Sequence, residues 1–324
     1  MTQHISRRKA LQLLGGGTLA AALPLTVRAA NGPLHLGIQT TIWGSVALIA
    51  EAEKMFAKAG ADVVVDKFDS GAGGRDAMIS GHIDCVSIGA TPFVIGVAKS
   101  NLVAFGMVAY AGGTLALVAG SKSGIKTVAD LKGKRVASQL GSQTDQVFQN
   151  KIAPAFGLKK GDYQVINTPF ANHVSALASG SVDAFAGVEP YPSVAVLDGI
   201  GRILTDYSKY DIVPVLLATN NEILKKRQAD LVKFMKGWNM AAKLCRDERD
   251  RAAHIVGNFF RKKGYDMKDD VFKLSLKHMD VTTTFRPELQ GYLTTLAGTL
   301  VKNHKLPAMP NMDHALSDVI LKKV

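Results

Sequence analysis

Cysteine is nearly missing from this chain: there are two in 324 residues, Cys85 and Cys245. No Cys-x-x-Cys pair and no Cys/His ligand cluster occurs, so neither a disulfide framework nor a structural zinc site is written into it. Cys85 lies in an apolar strand pattern and Cys245 on a late helix, which reads as two free, buried thiols. His35, His82, His173, His254, His278, His304 and His314 are scattered and share no metal-ligand spacing. Gly-x-Ser-x-Gly and a Walker loop are absent, and Gly71-Ala72-Gly73-Gly74 lacks the spacing of a dinucleotide fingerprint. Aromatic residues make up only 7%. No basic stripe interleaved with them marks a nucleic-acid surface. These absences favour a binding protein over an enzyme, with no metal, no cofactor and no nucleic acid.

What is present begins with a leader. Ser6-Arg7-Arg8-Lys9-Ala10-Leu11 is followed by an apolar, Gly/Ala-rich run to Leu25, then by Val27-Arg28-Ala29. A charged head, a short apolar middle and a small-residue exit read as a secretory signal over residues 1–29, and the arginine pair is twin-arginine-like. The expected mature chain starts near Ala30 and is periplasmic. No later segment is apolar for long enough to cross a bilayer. Formal charge is +12, and loss of Arg7, Arg8, Lys9 and Arg28 lowers it to +8. A basic balance favours anionic ligands.

One short pattern occurs twice. Ala77 to Asp84 reads Ala-Met-Ile-Ser-Gly-His-Ile-Asp, and Ala176 to Asp183 reads Ala-Leu-Ala-Ser-Gly-Ser-Val-Asp. Each copy is the last turn of an amphipathic helix, a stopping glycine and a following apolar strand. Two copies point to two similar α/β lobes with a cleft between them. Strand and helix patterns alternate from Leu34 to Ser100, which predicts a parallel sheet with helices on both faces. Thr114–Ala119 reads as a strand leaving lobe one and Ile212–Ala218 as a strand returning to it. Lobe one is therefore expected at residues 31–118 plus 216–324, and lobe two at 119–215. Beyond Asn220 the chain reads as helices packed on lobe one. Thr127 and Asp130 form a plausible N-cap pairing.

In open α/β sheets, ligands bind beyond the carboxyl ends of the strands, where helix starts present unpaired N–H groups to negative charge. Five turns fit. Lobe one offers Gln39–Gly44 with Gln39, Thr40 and Trp43, Ser70–Gly74 with Ser70 and Gly71, and Gly89–Thr91 with Gly89, Ala90 and Thr91. Lobe two offers Gly141–Thr144 with Gly141, Ser142 and Thr144, and Glu189–Tyr191 with Glu189 and Tyr191. Small residues admit an oxyanion to the backbone, and the hydroxyls add donors. Ordinary helix capping explains any single one of them equally well. Trp43, in a turn, is the expected apolar wall, with Tyr191 and Phe170 behind it. Arg75 pairs with an anionic ligand or is simply solvated. Glu189 binds a ligand amine or caps the next segment.

Taken together, the leader, the helix Ala47–Lys58 before Gly60, the glycine-rich loop from Ser70, the two Ser-Gly-x-aliphatic-Asp units, Asp130-Leu131-Lys132-Gly133-Lys134-x-Val136, Gly141-Ser142 and Glu189-Pro190-Tyr191 carry a resemblance. Over about residues 34 to 220 the chain resembles periplasmic solute-binding proteins of ABC importers in the nitrate/taurine/alkanesulfonate class, related to thiamine-precursor synthases. Val188 stands where relatives often place tryptophan. The resemblance implies an α/β, two-lobe periplasmic-binding-protein fold of type II, each lobe a mixed, mostly parallel sheet flanked by helices. It also implies a monomeric receptor that traps a small anionic ligand and hands it to an ABC permease. A thiamine-precursor-synthase-like enzyme, a pyrimidine-binding protein, or a receptor that signals to a sensor kinase are the alternatives on the same fold.

Overall fold

Residues 32–324 are described in the computed structural model of the chain; the leader lies outside them. β1 (Leu34–Gln39), β2 (Val63–Phe68) and β3 (Cys85–Gly89) pair in parallel with β1 in the middle. Parallel pairing stops there. β10 (Pro214–Asn220) enters antiparallel between β3 and β4 (Leu102–Tyr110), and β11 (Asp280–Val281) closes the edge, giving the order β11-β4-β10-β3-β1-β2. The local alternation of strand and helix predicts a parallel sheet. It carries no information about a strand that arrives a hundred residues later from the other direction.

The second sheet has the order β7-β6-β8-β5-β9, from β5 (Leu115–Gly120), β6 (Arg135–Ser138), β7 (Gln164–Asn167), β8 (Ala184–Val188) and β9 (Gly201–Asp206). β6 is parallel to β7 and β8, and β5 is antiparallel to β8 and β9. The stretch that reads as leaving lobe one is thus an inner strand of the second sheet. β5 is buried along its whole length, which is why it reads as an unbroken apolar run.

The repeated motif has the same physical job in both sheets. Gly81 and Gly180 end their helices at φ +76° and +72°, the left-handed region that glycine adopts without steric cost. The aspartate that follows locks strand register. Asp84 Oδ2 accepts from the His35 N–H at the start of β1, and Asp183 Oδ2 accepts from the Arg135 N–H at the start of β6, each at 2.8 Å.

Two crossings join the sheets, one after β4 at Ala111–Thr114 and one after β9 at Tyr207–Val213. They lie side by side: the Ala111 N–H is shared between Ile212 O at 3.1 Å and Val213 O at 3.0 Å. A Cβ on Gly112 would come within 2.3 Å of Asp211 O, so only glycine allows this approach. Val213 sits at φ +44°, a strained conformation for a β-branched residue. The C-terminal helices pack on the first sheet as expected. In the Gln228–Asp247 helix, Phe234 stacks on Phe56 with centroids 5.1 Å apart, and Trp238 Nε1 donates to Met107 O at 3.2 Å. Thr127 and Asp130 do form a capping box.

Candidate functional site

The turns that follow the strands of one sheet meet those of the other. The Ile42 N–H, after β1, donates to Glu189 O, after β8, at 3.0 Å. Gln139 Nε2, after β6, reaches Asp69 O, after β2, at 3.4 Å. At the centre is the start of the Ala90–Ser100 helix. Thr91 is its second residue, so its N–H has no partner within the helix. Both the N–H and the Oγ1 hydroxyl of Thr91 donate to one oxygen, Gln143 Oε1, at 2.6 Å each. Gln143 comes from the Gln143–Val147 helix of the opposite sheet.

Glycines make this floor possible. A Cβ on Gly89 would stand 3.2 Å from both Gln143 Cβ and Trp43 Cζ3. A Cβ on Gly71 would stand 3.0 Å from Pro92 Cγ and 3.3 Å from Gln39 Nε2. One polar atom in this floor, Gln39 Nε2, is buried without a hydrogen-bond partner, as is Thr144 Oγ1 on the helix that carries Gln143. Buried donors are nearly always satisfied in native proteins, so an unmet one at a cleft floor is available to a solute's acceptor or to water.

The mouth of the cleft is a cavity of about 300 Å³ lined by Thr40, Thr41, Asp69, Pro169, Phe170, Ala171, Asn172, Tyr191 and Tyr265. Its lining holds one carboxylate, three aromatic rings and no lysine or arginine. Burial pushes the Tyr191 hydroxyl well above its ordinary range, helped by the neighbouring Tyr265 and Asp69.

The structure gathers most of the residues singled out in the sequence, in different roles. Gln39, Gly71, Gly89, Ala90 and Thr91 form the floor, and Thr40, Phe170 and Tyr191 line the mouth. Ser70 and Ser142 are helix caps, their hydroxyls accepting from Gly73 N and Asp145 N at 3.1 Å. Gly141 takes φ +78° in the turn before Ser142. Trp43 is a core residue: its Nε1 donates to Thr114 Oγ1 at 2.8 Å, and only the ring edge reaches Gly89. Arg75 is held by Asp76, with Nε to Oδ1 at 2.8 Å and Nη2 to Oδ2 at 3.1 Å. Glu189 turns inward, where Oε2 accepts from Ser193 N at 3.1 Å and Ser275 Oγ at 3.0 Å. Burial raises its pKa to about 7 against those two bonds.

Sequence reasoning missed Gln143, Thr41, Asp69, Tyr265 and Tyr292. Gln143 stands between two residues that it did select, so a nearby signal existed. Tyr265 and Tyr292 lie in the C-terminal helical region, where nothing local marks them. Both thiols are buried, with the Cys245 pKa raised to about 12 and that of Cys85 higher still, so neither is poised as a nucleophile. Among the described residues, no group of three or more His, Cys, Asp or Glu is placed to hold a metal. Nor is any helix there long and apolar enough to cross a membrane.

The family model described as "NMT1-like family" matches residues 30–257. A Brucella abortus protein provisionally named a binding protein is 30% identical over 312 residues, 93% of this chain and 95% of its own length. The taurine-binding periplasmic protein of Escherichia coli is 31% identical over 163 residues, 49% of each chain. Among solved structures, the periplasmic aliphatic sulphonate binding protein of Escherichia coli matches with TM-score 0.75 at 24% identity, over 88% of this chain and 92% of that one. The alkanesulfonate-binding protein of Xanthomonas axonopodis, solved with MOPS, matches with TM-score 0.77 at 23% identity, over 88% and 98%. These likenesses carry the fold: two α/β sheets flanked by helices, in the periplasmic-binding-protein arrangement.

Proposed function

The chain belongs to the NMT1-like family, and from that premise we propose that it is an exported receptor for a small anionic solute. The solute is trapped between two lobes, one built on each sheet, and delivered to an ABC permease in the inner membrane. The observation that carries this reading is the convergence of the Thr91 N–H and hydroxyl on a single oxygen at 2.6 Å, at the start of an eleven-residue helix. Two donors and the positive end of a helix dipole suit a sulfonate, carboxylate or nitrate oxygen. The unmet amide donor of Gln39 adds a further hydrogen bond to such a group. The mouth holds no lysine or arginine and one carboxylate, Asp69, so the charge would be held by neutral donors at the floor, away from Asp69. The names of the relatives, sulfonate- and taurine-binding proteins, support the same class.

The mouth supports a second reading. Phe170, Tyr191 and Tyr265 offer faces for a heteroaromatic ring, and Asp69 and Asn172 offer hydrogen-bond partners at its edge. A pyrimidine is the simplest solute of that kind. Closure around any solute requires that it bind the closed arrangement better than the open one. A thermal-shift screen of the leader-free chain separates the readings, because a solute that binds only the native state raises the midpoint. The panel is alkanesulfonates, nitrate, bicarbonate, aromatic acids and pyrimidines. Stabilisation by sulfonates or another oxyanion is expected. Stabilisation by pyrimidines alone would move the assignment to the second reading, and no response to any of them would refute the receptor.

A further inference from the structure

One side chain already does at the cleft floor what a solute oxygen would do. Gln143 is buried, and its Oε1 takes both Thr91 donors at 2.6 Å. The other end of the amide is fixed as well. Gln143 Nε2 donates to the Tyr292 hydroxyl at 2.8 Å, and that hydroxyl donates to Asp211 Oδ1 at 2.7 Å. A tyrosine that has given its one proton to a carboxylate can only accept from Gln143, so the amide nitrogen must face Tyr292 and the oxygen must face Thr91. Asp211 is anchored in turn by Lys151 Nζ at 2.7 Å and by the Val213 N–H at 2.6 Å, on the second crossing. The amide is therefore aimed, not merely near.

We propose that Gln143 is an internal competitor for the solute: its amide oxygen holds the acceptor position at the Thr91 donors, and a solute oxygen enters by displacing it. The inference rests on the reading of this cleft as the solute site. Its consequence is a threshold. Every solute meets donors that are available only in the fraction of molecules in which Gln143 has left Thr91, by a side-chain swing or by opening of the lobes, and its apparent affinity is lowered by that fraction. An ionised oxyanion makes stronger, charge-assisted bonds to the same donors than a neutral amide does, so it displaces Gln143 with a net gain. A neutral carbonyl would exchange one ordinary acceptor for another. Displacement also removes the amide's bond to Tyr292, and so couples the floor of the site to Asp211 at the crossing.

The test uses the leader-free chain, its Gln143→Ala variant and inorganic sulfate as the oxyanion probe. Without any solute, exchange of the Thr91 amide hydrogen, followed by NMR, is expected to speed up at least tenfold in Gln143→Ala, while amides in β3 keep their rates. With sulfate, calorimetry is expected to show about tenfold tighter binding to Gln143→Ala, the size set by two lost hydrogen bonds. Tyr292→Phe, which loosens the amide without touching Thr91, is expected to shift sulfate affinity in the same direction by a smaller factor. Few disruptive substitutions raise affinity, so this direction separates competition from a structural role. Unchanged Thr91 exchange, or sulfate affinity equal or lower in Gln143→Ala, overturns the proposal. The exchange arm needs no solute, so its failure is distinct from failure of the receptor reading, which the solute panel decides.

Discussion

At the scale of single residues, burial decides what a side chain does more than its chemistry suggests. Glu189 is the clearest case. Its carboxyl titrates near 7 in the fold because it is desolvated, against about 4.3 in an exposed chain. Between those values the unfolded state is ionised and the folded state keeps its proton. Stability therefore falls as pH rises through that window, and the loss is complete above about 7. Glu189→Gln, which retains an oxygen for Ser193 N and Ser275 Oγ, is expected to be more stable than the wild type at pH 8 by about 3 kcal/mol and nearly equal at pH 4. Urea unfolding at the two pH values checks it; an equal difference at both would show that the carboxyl ionises normally. Trp43 teaches the same lesson from the apolar side. A tryptophan in a turn reads as a ligand wall, yet it is a core residue with its indole N–H satisfied by Thr114. Trp43→Ala is expected to cost about 3–5 kcal/mol of stability, read by far-UV circular dichroism in urea. A fully stable variant with lost solute binding would restore the wall.

At the scale of elements, the two Ser-Gly-x-aliphatic-Asp units were legible because their physics is local. A helix end, a left-handed glycine and a strand start lie within eight residues. Gly180→Ala meets no neighbour within 4 Å, so its expected cost is backbone strain alone, about 1 kcal/mol. Asp183→Ala removes the acceptor for the Arg135 N–H and an ion pair on the same strand start. It is expected to cost about 1–2 kcal/mol and to speed amide exchange at β6 before other strands. Exchange that rises evenly across both sheets would deny the aspartate its register role. Partner choice between strands was legible only in part: Ile212–Ala218 reads as returning to lobe one, and β10 does join the first sheet. β5 is a fully apolar run, and nothing in it says that it is an inner strand of the second sheet or in which direction it runs. The site shows the same division. Its floor comes from turns next to strands, where glycine and hydroxyl patterns show, while Tyr265 reaches it from a distant loop and Tyr292 from a distant helix.

At the scale of the molecule, two mixed sheets face each other across turns built for approach, and two crossings run side by side between them. On the proposed reading such a body is a receptor, and the Thr91 donors are its point of recognition for one solute oxygen. Calorimetric titration of the leader-free chain with ethanesulfonate, beside its Thr91→Val variant, tests this most directly. Valine keeps the shape and the backbone N–H but removes the hydroxyl donor, so the solute loses a charge-assisted bond while Gln143 loses a neutral one, a net loss of about 1 kcal/mol or fivefold in affinity. The expected result is one solute per chain, bound about fivefold more weakly by Thr91→Val. Ethanesulfonate that binds both proteins equally would contradict the account, as would failure of every oxyanion in the panel to bind.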